Sequence, residues 1–101
     1  MVQAVVFVGD AMEETPADLF SIAGDLGLPV FLFQEGDDPS VTRTFREIAR
    51  LTKGAHCSFD PGSAMQLADL LRAAAVYAAG GLKALEAKSG AGVVKLLQQL
   101  K

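Results

Sequence analysis

Seven of the twelve acidic residues in this 101-residue chain fall in three short stretches: Asp10, Glu13 and Glu14 in GDAMEE, Glu35, Asp37 and Asp38 in QEGDDP, and Asp60 in FDPG. Carboxylate oxygens gathered at one place suit a hard divalent cation, Mg²⁺ or Mn²⁺, and Mg²⁺ takes one or two carboxylates and keeps several of its waters. Each stretch closes an apolar run, so the elements that carry them decide whether they meet. Asp10 follows Gly9 at the end of such a run, before any helix requires a cap. It is therefore the candidate metal ligand. Asp38 has a competing explanation as a helix cap, and acidic residues at helix starts are favoured by the helix dipole alone.

Other chemically capable residues are sparse. His56 and Cys57 are the only residues of their types. They sit next to each other in a short β-prone run, where alternation sends neighbouring side chains to opposite faces, which disfavours a Cys-His catalytic pair. A buried or rim position is expected for His56. Arg43, Arg46 and Arg50 share one helix face and could meet an acidic partner, although a solvated face is the ordinary explanation of such a pattern. GDLG and AAGG lack the spacing of a phosphate-binding loop.

The elements that position these residues alternate. VQAVVFV at 2 to 8, PVFLF at 29 to 33 and AHCSF at 55 to 59 are nearly continuous in apolarity, as expected of strands covered on both faces. Between the first two, Thr15 as cap, Pro16 and Gly27 frame a helix with Leu19, Ile22, Ala23 and Leu26 on one face. Asp38 and Pro39 open a second, burying Val41, Phe45, Ile48 and Ala49. Ser63 and Gln66 predict a capping box for a third, with a stripe of Leu67, Leu70, Leu71, Ala74 and Ala78, broken at Gly80-Gly81. Two short helical pieces, 82 to 87 and 93 to 100, follow on either side of SGAG. Strand, helix, strand, helix, strand predicts three parallel, sequentially neighbouring strands with both crossover helices on one face and the C-terminal helices on the other: an α/β protein of three layers, α/β/α. Its carboxyl edge is where ligands of open parallel sheets bind.

Composition sets the outer bounds. The length allows one domain at most, and 50% apolar residues suffice for a packed core. A net charge of −3 argues against nucleic acid. No apolar run reaches the roughly 20 residues needed to cross a bilayer. A lone cysteine and the lack of a signal-peptide pattern make cytoplasm the expected location.

VVFVGDAMEE, PVFLFQEGDD and FREIARLTKGAHCSFD taken together resemble the C-terminal half of a von Willebrand factor type A domain, in a bacterial branch of that family. The resemblance covers residues 2 to 79, with 80 to 101 as a helical tail. It implies a Rossmann-like half-fold and a metal-ion-dependent adhesion site at the carboxyl edge, onto which Asp10 maps. The family's Asp-x-Ser-x-Ser loop is absent from the chain, as is anything matching its first three strands. The resemblance thus implies an incomplete metal site, in which Asp10, even with Glu13, holds Mg²⁺ or Mn²⁺ weakly. It also implies that strand 2 to 8, central in the family, has a bare edge here. Such an edge is a template for another chain, and the expectation is a homodimer in which two copies of this strand pair antiparallel in one six-stranded sheet. The expected function is a protein-interaction or assembly module, with an unidentified protein partner besides itself. The alternative is a small metal-assisted hydrolase or phosphotransferase using Asp10, against which stand the lack of a paired base and of an oxyanion-binding loop.

Overall fold

A computed structural model of the chain describes residues 4–10, 24, 25 and 27–100. Three parallel strands, β1 (Val5–Gly9), β2 (Val30–Glu35) and β3 (Ala55–Phe59), lie in sequential order with β2 central. Val5 is level with Val30 and Gly9 with Gln34, while Phe31 is level with Ala55 and Glu35 with Phe59. The predicted helix over 15 to 26 lies outside the described residues except for Gly24 and Asp25, which are helical.

Helix α1 (Pro39–Thr52) starts where the sequence predicts. The Asp38 carboxylate accepts from the Ser40 N–H at 2.9 Å, and Pro39 supplies a first-turn residue with no N–H to satisfy. Its Val41, Phe45 and Ala49 pack on Val30 and Leu32, with Val5 and Phe7 at the margin. Ile48, expected in the core, is only half-buried. The opposite face of the sheet, Phe31 and Phe33 with Ala55, Cys57 and Phe59, is covered by α2 (Ala64–Glu86) and α3 (Ala91–Leu100) through Leu70, Ala73, Ala74, Leu85, Val93 and Leu96. Helices on both faces of a parallel sheet make the three layers that continuous strand apolarity demands.

Two details of the helices depart from expectation. Leu71 is 41% exposed, because Ala73 rather than Leu71 turns toward the sheet beside Leu70 and Ala74. Ser63 caps α2 by accepting from the Gln66 N–H at 3.2 Å. The reciprocal half of the box is missing, since the Gln66 carboxamide binds Asp60 and the Ser63 N–H goes to the Asp60 carbonyl. The break expected at Gly80-Gly81 is present: Gly81, with φ 76° and ψ −164°, leaves helical backbone and kinks α2 between two helical pieces, a backbone state open to glycine and costly for other residues. The kink folds the segment carrying Leu85 back onto the core. There α3 crosses α2 so closely that a Cβ on Gly92 would stand 2.5 Å from the Asp69 carbonyl oxygen.

Candidate functional site

The parallel register brings Asp10, Glu35, Asp37, Asp38 and Asp60 to the carboxyl ends of the three strands, as the strand order predicts. They do not converge. Asp38 is spent on α1: Ser40 holds its carboxyl below the usual value by donating both its hydroxyl and its backbone N–H. Asp60 is braced by Gln66 at 3.3 Å. Asp10 is exposed at the end of β1, and Glu13 and Glu14 lie outside the described residues. Among the described residues no three His, Cys, Asp or Glu side chains stand close enough to hold a metal ion. One exposed carboxylate is a poor match for Mg²⁺, which releases its waters reluctantly. The described residues therefore do not by themselves fit a divalent-cation centre.

A polar cluster lies inside the sheet instead. Strand β2 runs beyond Phe33 and carries Gln34 into the interior, fully buried. The Gln34 amide nitrogen donates to the Asp38 carbonyl at 3.3 Å. Its Oε1 accepts from the Thr42 hydroxyl at 2.9 Å and lies 2.7 Å from His56 Nε2. An amide oxygen can only accept, so His56 carries its proton on Nε2 and donates. His56 is 7% exposed. Burial, and secondly the positive charge of Arg46, push its pKa below the ordinary imidazole value. No buried polar side-chain atom among the described residues is left without a partner.

Cys57 points to the other face and packs among Phe33 and Leu96. Burial pushes its thiol up to about 11, with Lys95 and the Gln99 contact working the other way. A buried, protonated thiol is inert. His56 and Cys57 are thus divided by the sheet.

The outer edge of β3 is guarded from α3. The Gln99 carboxamide accepts from the His56 backbone N–H at 2.7 Å and donates to the His56 carbonyl. One side chain so imitates a neighbouring strand at the point where an edge would recruit another chain. Ser58, two residues on, faces the same way and is exposed. Between this edge and α1 runs an open cleft of about 710 Å³ walled by Thr42, Arg43, Arg46, Arg50, Glu47 and Ser58, with Asp37 at one end. A second cleft of about 510 Å³ continues from Arg46 and Arg50 to Lys53 and Gln99. Arg50 is paired with Glu47 at 2.5 Å, whereas Arg43 and Arg46 have no carboxylate partner among the described residues. Of this site the sequence shows only the basic helix face.

The opposite edge is different. Among the described residues β1 pairs with β2 alone. Phe7 is turned to α1 and meets Phe45 edge-on, with ring centroids 5.7 Å apart. Val6 and Val8 share the other face with their sealed neighbours Phe31 and Phe33, yet are 40% and 41% exposed. The layer of α2 and α3 covers β2 and β3 and stops short of them.

Comparison with known protein families, with curated proteins and with solved structures finds no match to this chain. No helix among the described residues is long and apolar enough to cross a membrane.

Proposed function

We propose that the chain is an assembly module resembling half of a von Willebrand factor type A domain, which pairs with a second copy of itself along β1. The observation that supports this is Val6 and Val8: two β-branched side chains exposed in the middle of an apolar strand that has a pairing partner on only one side among the described residues. A two-fold axis normal to the sheet would set β1 antiparallel to its copy. The four valines would then lie together on one face, in the valley between the two α2 and α3 layers. Antiparallel pairing would satisfy the outward N–H and C=O groups of both strands. Asp10, at the end of the same strand, is in this scheme the remnant of a metal edge, too poor in ligands to hold Mg²⁺ or Mn²⁺ firmly.

Light scattering on the purified chain tests the proposal. The wild type should show twice the chain mass, and the Val6→Lys, Val8→Lys double variant the mass of a single chain, because charged side chains block edge pairing. A wild type that stays monomeric at high concentration overturns it.

A further inference from the structure

We infer that the basic groove between α1 and the outer edge of β3 is a docking site for an extended, acidic polypeptide segment. It lies at the opposite edge of the sheet from β1, so it stands or falls independently of the dimer.

The shape and the charges of the groove carry the inference. Arg43, Arg46 and Arg50 follow one another at helical spacing along a single face of α1, and Lys53 stands just past its C-terminal end. With a rise of 1.5 Å per residue, Arg43 and Arg50 are about 10 Å apart along the axis, and Lys53 extends the row beyond the helix end. The two clefts share Arg46 and Arg50 and together run the length of that face, past Ser58 at one end and Gln99 toward the other. A single phosphate could contact neighbouring guanidiniums but not the whole row. An extended chain presents same-side residues about every 6.8 Å and can place successive carboxylates along it.

The charge balance points the same way. Glu47 is taken up by Arg50, which leaves Arg43 and Arg46 as guanidiniums without a carboxylate partner among the described residues. Both are exposed in a chain whose net charge is −3. Asp37 tempers the field at one end only. Gln99 already occupies the backbone groups of His56. The segment is therefore held by its side chains above the strand edge, with Ser58 as a hydroxyl and backbone contact, rather than added as a fourth strand.

His56 reports on occupancy. The charge that faces it is Arg46 from α1; Lys95 of α3 acts on Cys57 across the sheet. A carboxylate on Arg46 would offset that charge and raise the His56 pKa. The chain has one histidine, so its imidazole gives a single isolated resonance.

The test adds a capped hexapeptide of alternating glutamate and valine to the full chain, followed by amide and imidazole NMR. The inference expects saturable shifts at Ser58, Arg43 and Arg46, a rise in the His56 pKa, and binding weaker by about tenfold in the Arg43→Gln, Arg46→Gln variant, in line with the loss of two solvent-screened charge contacts. Arg72→Gln, on an exposed part of α2, should bind as the wild type does. The amide spectrum of each variant verifies the fold. Equal binding of a glutamine-valine peptide, equal weakening by Arg72→Gln, inorganic phosphate binding as tightly as the peptide, or no saturable shift would each overturn it.

Discussion

Gln34 sets the chemistry of the interior at the scale of single residues. A buried carboxamide is tolerated only when its donors and acceptor are engaged, and Thr42, His56 and the Asp38 carbonyl between them do that. Gln34→Leu would leave the Thr42 hydroxyl and the His56 N–H without their acceptor. The expected loss is about 1–3 kcal/mol for each buried group left unsatisfied, read from urea midpoints; a stability equal to wild type would show that these groups find other partners. The same cluster sets a pH dependence. The folded-state pKa of His56 is depressed below the usual imidazole value near 6.5. The unfolded chain therefore binds the proton more readily, and stability is fully present above that value and falls as pH drops through the folded pKa. His56→Gln should flatten this part of the stability profile while leaving the carboxylate-driven loss at lower pH.

At the scale of elements, α3 is part of the core rather than an appendage. Leu96 is fully buried and packs with Phe31, Phe33 and Leu85, and Gln99 of the same helix holds the edge of β3. Leu96→Ala should cost about 2–5 kcal/mol through lost burial and the cavity left behind, with strands and helices melting in one transition. Two separate transitions would show α3 to be an independent unit. Gln99→Ala removes little buried surface but uncovers the His56 N–H and C=O. Hydrogen exchange at the His56 amide should accelerate beyond any global loss of stability. Exchange unchanged relative to global opening would mean that the clamp contributes no local protection.

For the whole molecule the two edges of the sheet divide the work. The β3 edge carries a side-chain clamp and a basic groove, whereas the β1 edge carries exposed valines and, just beyond, Asp10. If β1 pairs with its copy, the two Asp10 residues fall at opposite ends of the paired strands, because antiparallel strands run in opposite senses. Dimerisation by that route therefore leaves each Asp10 without the other's help. Calorimetric titration with Mg²⁺ or Mn²⁺ should show at most weak heats, little changed by Asp10→Ala. A saturable isotherm that disappears in the variant would establish Asp10 as a ligand in a site completed by other groups.

Much of this architecture was legible in the residues. Continuous apolar runs at 30 to 33 and 55 to 59 could be satisfied only by strands covered on both faces, and Asp38-Pro39, Ser63 and Gly81 mark helix starts and a break because capping oxygens, a fixed φ and a missing Cβ are local properties. The parallel order of the strands followed from the alternation of elements, and with it the gathering of acidic residues at one sheet edge. What the sequence could not show depends on contacts between distant segments. The engagement of Gln34 by His56, the clamp of Gln99 on a strand 43 residues away, the exposure of Leu71 in place of Ala73, and the open clefts that the three exposed arginines line beside β3 all arise from how the helices seat on the sheet. Periodicity specifies which face of a helix is apolar, but the angle and depth at which that face meets its neighbour are set by side-chain packing across the interface, and only the tertiary structure decides them.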